Sequence, residues 1–157
     1  METLATAPLC LHAQFTVETG HPTEFIDLTD RVAALVVHAG LRFGFVNIQT
    51  RHTTTAILVN EHEPLLLSDF AAFLERLAPR GDVYRHDDET ERTVNLTPDE
   101  RHNGHSHCRA LLLPLNATLN VVDGQLHLGR WQRLFLAELD GPRPRTVSVM
   151  LMGEGWR

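Results

Sequence analysis

Six of the ten histidines in this 157-residue chain fall between His52 and His107. Imidazole exchanges protons near neutral pH, donates to anions and binds zinc, so such a concentration marks a region where chemistry is possible. His52 precedes Thr53, Thr54 and Thr55. Hydroxyls and backbone amides around an imidazole either bind phosphate or position a general base; the plain alternative is a histidine closing a strand end. His86, His107 and His52 are the candidate metal ligands, since a catalytic zinc needs about three protein ligands plus water. His105 and His107 would lie roughly 200° apart on a helix and could not share one ion there. His107 is one turn beyond Asn103, so these two are expected to line a pocket together.

Carboxylates supply the remaining acid–base candidates. Glu61 follows the apolar Ala56–Val59 run and is either a general acid/base or a solvated strand end. Asp69 lies between Leu66 and Phe70, close to a helix's buried face, where an ionised carboxylate needs a partner. Gly129-Arg-Trp-Gln132 could bring backbone and the Gln132 amide to a ligand. Trp131 itself reads better as a core anchor, and Gly129 as a bulge. Glu138, Asp140, Arg143 and Arg145 either hold a phosphate or form intersubunit ion pairs, surface pairs being the default and Arg143 the preferred anion ligand.

All 14 basic residues are Arg; there is no Lys. Schiff-base catalysis, pyridoxal-phosphate attachment and a P-loop are therefore excluded, and no nicotinamide or flavin fingerprint is expected. Cys10 and Cys108 stand apart without a Cys-x-x-Cys pair, which predicts a reduced cytoplasmic protein. A net charge of -6 argues against a nucleic-acid partner. No apolar run approaches the roughly 20 residues that span a bilayer, so no membrane partner is expected.

The elements that must position these side chains alternate between two periods. Leu9–Val17 alternates as a half-buried strand, and Glu24–Leu28 is a second. Thr29 is the expected N-cap of a helix whose stripe is Val32, Leu35, Val36 and Ala39, stopped by Gly40. Phe45–Arg51 and Thr54–Val59 read as strands around the His52 segment. Pro64 opens a second helix with Leu66, Phe70, Phe73, Leu74 and Leu77 as its apolar face, closed by Pro79 and Gly81. Residues 82–101 read as a long polar loop. Asn103 is expected to cap a third helix running to about Leu112, before Pro114. Leu119–Val122 and Gln125–Leu136 flank the Asp123-Gly124 hairpin signal, and Thr146–Met152 alternates again. With 43% hydrophobic residues and no repeat or linker, the expectation is one α+β domain over 1–157. Mostly antiparallel, sandwich-like sheets and about three helices would compose it.

The ordered set of Phe25-Ile-Asp-Leu-Thr, Gly44-Phe-Val-Asn-Ile, His52-Thr-Thr-Thr-Ala, Val59-Asn-Glu, Asp69 and His86 resembles the YjbQ family. So do Asn103-Gly-His-Ser-His, Asp123-Gly-Gln-Leu-His-Leu-Gly-Arg-Trp-Gln and Glu138-Leu-Asp-Gly-Pro-Arg-Pro-Arg. The resemblance covers about Thr19 to Gly153. It implies a cytoplasmic α+β homotrimer with a polar site near subunit boundaries and thiamine-phosphate-synthase-like activity. Pro114, Asn116 and Arg130 depart from the Gly, Ser and small Thr or Ser usual at those positions.

These readings combine into an enzyme acting on a phosphorylated heteroaromatic metabolite. His52, Glu61, Asp69 and His107 are the catalytic candidates; Thr53, Thr54, Asn103, Gln132 and Arg143 are the substrate-binding ones. A zinc or magnesium ion is a possible cofactor. A metal-dependent hydrolase with Glu61 as base and a non-catalytic trimeric binding module are the competing expectations.

Overall fold

The computed structural model describes residues 7–156. Its architecture is α+β, with three helices and two antiparallel sheets that curl into a half-barrel. Numbered in chain order, the five-stranded sheet runs β1 (Ala7–Glu18), β8 (Pro144–Gly155), β3 (Leu41–Thr50), β5 (Asn116–Val122), β6 (Gln125–Leu126). The three-stranded sheet runs β2 (Glu24–Asp27), β7 (Gln132–Glu138), β4 (Thr55–Glu61). The helices are α1 (Thr29–Ala39), α2 (Pro64–Leu77) and α3 (Gly104–Leu111).

Strand β7 shows why the two sheets belong to one core. Leu134 and Leu136 face Val32 and Val36 of α1 together with Ile48, Val147 and Val149 of the larger sheet. Ala137 and Leu139 point the other way, onto Leu74 of α2 and Ala56. A strand covered on both faces loses alternation and reads as a continuous apolar run, as Leu134–Ala137 does. Each Leu or Ile removed from water here is worth about 1.5–3 kcal/mol. Because β7 is the shared wall, its C-terminal end at Glu138 is carried into the centre of the molecule.

Several sequence expectations are corrected. Gln125–Leu136 is not one strand: β6 stays in the larger sheet and β7 crosses to the smaller one. Between them Gly129 forms a turn rather than a bulge, with Gln132 N–H donating to Gly129 O at 3.0 Å. Trp131 is not a core anchor; it is 62% exposed, with the Arg130 guanidinium 4.6 Å from its ring centroid. Thr29 is not the N-cap of α1: Leu28 occupies that position, and Asp27 Oδ1 accepts from Thr29 N–H at 2.9 Å. The Thr29 hydroxyl is spent on β7, accepting from Leu134 N–H at 2.8 Å. The long loop after α2 contains one 3-10 turn, Arg85–Asp87. Strand β8 extends past the expected Thr146–Met152 at both ends. The Asp123-Gly124 hairpin is as expected, with both residues at positive φ (48° and 77°).

Candidate functional site

The end of β3, the start of β4, the end of β7, the start of β8 and the N-terminus of α3 meet at one place. Backbone bonds fasten the junction: Leu139 N–H to Thr54 O at 3.2 Å and Arg51 N–H to Thr146 O at 3.3 Å. His52 sits in the β3–β4 turn, and its Nε2 accepts from Thr146 N–H at 2.7 Å. A nitrogen that accepts cannot carry the proton, so neutral His52 is the Nδ1–H tautomer, a donor. Burial lowers its pKa, and Arg145, Arg143 and Arg51 lower it further against an opposing pull from Glu138. The ring is thus held uncharged.

Beneath it, Glu138 and Arg145 form a fully buried bidentate pair. Glu138 also accepts from Asp140 N–H (2.9 Å), Gly141 N–H (2.7 Å) and the Thr19 hydroxyl (3.0 Å). Arg145 reaches the Thr54 hydroxyl at 3.1 Å. Burial opposes ionisation of Glu138, yet Arg145 and these donors outweigh it and hold the carboxyl below its usual range. A carboxylate so saturated cannot act as a base; it anchors the turn beyond β7. That turn demands Gly141, which has φ 62° and whose added Cβ would lie 2.5 Å from His21 O. Past it, Arg143 projects against Asp140. Burial, then Arg145 and Arg101, make the charged form of Arg143 less favourable than usual. Its Nη2 is paired with Asp140, while its Nε has no hydrogen-bond partner.

The opposite wall comes from α3 and the loop before it. Asn103 occupies the N-cap position of α3 but makes no side-chain cap. Asp87 caps the helix from the 3-10 turn instead, its Oδ1 accepting Asn103 N–H and Gly104 N–H, each at 2.9 Å. A Cβ on Gly104 would meet Tyr84 at 2.4 Å, so only glycine allows this approach. Asn103 is thereby free to point inward, where its Nδ2 donates to Asp140 at 3.0 Å. His107 lies one turn on, its ring centroid 4.6 Å from that of His86. Burial, then His86 and Arg92, lower the pKa of His107. His105 points elsewhere and is buried beside Tyr84. Arg92 staples the loop, donating to the carbonyls of His86, Val94 and Asn95 and to Glu100 at 2.7 Å. That ion pair, first among its causes, brings Glu100 down to about 2.

These walls enclose a cavity of about 650 Å³ whose lining includes Arg51, His52, Arg92, Asn103, His107 and Arg143. The volume suits a small metabolite. Three atoms of residues that line it, His86 Nε2, Asn103 Oδ1 and Arg143 Nε, are buried and without a hydrogen-bond partner. An orphaned buried polar atom costs about 1–3 kcal/mol, so three on residues that line one cavity mark it as a candidate site for a polar ligand. The fit to a resident metal is poorer. Among the described residues no group of three His, Cys, Asp or Glu side chains is arranged around a common point, and His52 Nε2 is committed to Thr146.

The family profile described as "UPF0047 protein YjbQ-like" matches residues 13–154. The chain belongs to this family. A UPF0047 protein of Methanothermobacter thermautotrophicus is 38% identical over 138 residues, covering 88% of this chain and 89% of the relative. One from Archaeoglobus fulgidus is 39% identical over 136 residues, covering 87% and 97%. Among solved structures, a YbjQ-like protein of unknown function from Sulfolobus solfataricus superposes with a TM-score of 0.83. It is 30% identical, with 94% of this chain and all of that one covered. A hypothetical protein of Aeropyrum pernix gives 0.79 at 31% identity, covering 91% and 98%.

Within this UPF0047 fold, the sequence candidates divide among three places. His52, Thr53, Thr54, His86, Asn103, His107 and Arg143 line the cavity together. Glu61, Asp69 and Gln132 do not. In the β4–β7 register Thr55 pairs with Glu138 and Glu61 with Gln132, which puts Glu61 about 20 Å along the ladder at ~3.3 Å per residue. Glu61 is exposed there, in a groove with His62, Arg130, Trp131 and Arg133. The Gln132 amide oxygen closes its own turn, accepting from Gly129 N–H at 2.8 Å. Asp69 is exposed on α2, because one residue's rotation from Phe70 turns it into solvent. Arg51 and Arg92 were not among the sequence candidates. Arg51 adjoins His52 and was within reach of the reading; Arg92 had no local signal, since only the loop's folding brings it to the site.

Proposed function

We propose that the cavity holds the phosphoryl group of a small metabolite and that the protein is an enzyme of thiamine-phosphate-synthase-like chemistry. The supporting observation is the set of orphaned buried atoms, His86 Nε2, Asn103 Oδ1 and Arg143 Nε, on residues that line one cavity. Phosphate oxygens satisfy the arginine donor with a charge-assisted bond, and the Asn103 oxygen asks the ligand for an N–H or O–H as well. In such a reaction the carbon–oxygen bond to pyrophosphate breaks and its electron pair leaves with pyrophosphate. A thiazole nitrogen lone pair then forms the new carbon–nitrogen bond. The protein's part is to hold the departing anion with Arg143 and the His52 Nδ1–H, in the positive field of Arg51 and Arg92.

The absence of Lys accords with a route that needs no covalent intermediate. A magnesium ion belongs to this reading as a companion of the phosphate oxygens, because the cavity carboxylate Glu100 is already paired with Arg92. Metal-assisted hydrolysis with Glu61 as base has no supporting observation, Glu61 lying at the other end of β4. The homotrimer is part of the proposal. Its support is the outer face of the five-stranded sheet, where Phe43, Phe45, Met150 and Met152 are 36–40% exposed.

Calorimetric titration with inorganic phosphate and pyrophosphate tests the reading. The wild-type chain should saturate. Arg143→Gln should weaken binding by about ten- to a hundredfold, the worth of one charge-assisted bond. A wild-type chain that binds neither anion removes the proposal. Pyrophosphate release from a pyrimidine pyrophosphate in the presence of a thiazole phosphate then separates an enzyme from a binding module.

A further inference from the structure

We infer that the phosphoryl group is one half of the ligand, and that an apolar group joined to it lies in a cleft beyond His52 and His107. This deepens the phosphoryl-binding reading and rests on it. The substrate class it names is a phosphomonoester of an apolar or aromatic alcohol.

A second depression, of about 490 Å³, adjoins the polar cavity. Arg51, His52, Thr53 and His107 border both. The character of the lining changes across that shared wall. On one side stand Arg92, Glu100, Asn103 and Arg143; on the other stand Ala110, Leu111 and Leu115. The wall suits both sides: an uncharged imidazole donates through an edge nitrogen and presents a flat face to an apolar neighbour. Burial, the first cause of the lowered pKa of both rings, favours that uncharged state.

The apolar side is held in place. Leu115 is 57% exposed although its carbonyl accepts Thr50 N–H at 3.0 Å, and the preceding Pro114 carbonyl accepts Ile57 N–H at 2.9 Å. Leu111, 84% exposed, ends the helix whose first residues carry Asn103 and His107 to the phosphoryl cavity. Leucines fixed by backbone bonds yet left in water beside a polar cavity are a surface that a ligand can cover. The ester oxygen would sit between the two imidazoles, the phosphoryl oxygens toward Arg143 and the organic group toward Leu111 and Leu115.

Methyl phosphate, hexyl phosphate and phenyl phosphate share one headgroup and differ in apolar area, so titrating all three isolates the cleft. Hexyl and phenyl phosphate should bind about tenfold or more tighter than methyl phosphate, from only a few buried carbons. In the double variant Leu111→Asn, Leu115→Asn that ratio should fall toward one while methyl phosphate affinity stays unchanged. Equal affinity for the three esters in the wild-type chain overturns this inference and leaves the phosphoryl site standing. Failure of methyl phosphate to bind overturns the reading beneath it as well. A double variant that keeps the ratio but changes the sedimentation coefficient assigns the leucines to contact between copies, and also overturns it.

Discussion

His52 serves two purposes through its two ring nitrogens. Nε2 accepts Thr146 N–H at 2.7 Å and thereby joins the β3–β4 turn to β8, while Nδ1–H is left as a donor. His52→Ala should therefore show both losses. Removing the acceptor leaves Thr146 N–H without its partner, which costs about 1–3 kcal/mol in urea unfolding. Phosphate affinity should fall by roughly tenfold in addition, the worth of the lost donor. A variant that loses stability yet keeps its phosphate affinity would reduce His52 to a strand-end histidine. Glu138 is the contrasting case. The sequence offers it as a phosphate holder or an ion-pair partner, and five donors around its carboxylate make it structural. Residue type named both as interesting; only the partners assign the roles.

The elements explain why the cavity is built from pieces so far apart in the chain. Helix α3 is short, and its N-terminal amides are capped from outside by Asp87, sixteen and seventeen positions earlier. This frees Asn103 for the cavity and sets the rotation that brings His107 to His86. Asp87→Ala should cost about 0.5–2 kcal/mol, as for loss of a helix cap. It should also speed hydrogen exchange at the amides of Asn103 and Gly104, and weaken phosphate binding by loosening that wall. Unchanged exchange there would mean that the Arg92 staple, not Asp87, holds the loop. Periodicity predicts α1, α2 and most strands because their apolar faces repeat locally, whereas α3 is legible only from Asn103 at its start and Pro114 beyond its end. Periodicity failed over 125–136, where strand-forming residues persist while the chain changes sheets. The turn at Gly129–Gln132 that permits the change depends on one side-chain bond and on what lies on either side.

Taken as a unit, the molecule keeps three histidines uncharged in its interior or at its cavity wall. Burial is the leading cause of the lowered pKa of His52, His105 and His107. The unfolded chain binds protons near the ordinary value of about 6.5 that the native state refuses, so these groups stabilise the fold above that pH. Their contribution is lost as pH falls from there toward their native values. The melting temperature, followed at constant ionic strength, should thus decline between about pH 6.5 and 5, before the carboxylates titrate. A flat profile in that window would show that the rings accept protons in place. No helix among the described residues is long and apolar enough to cross a membrane. Those features were legible in the chain itself: the α+β class, the helical stripes, the Asp123-Gly124 hairpin, the lack of Lys and the cluster of candidate histidines. Each is a property of composition or of neighbours within a few residues, so a linear reading contains it. Tertiary structure alone decided that Glu61 and Gln132 stand about 20 Å along the ladder from the Thr55–Glu138 pair, that Trp131 lies in solvent, and that Arg92 reaches the cavity. Those outcomes depend on which strands pair and on where a polar loop folds back, contacts between residues far apart in sequence that no local pattern encodes.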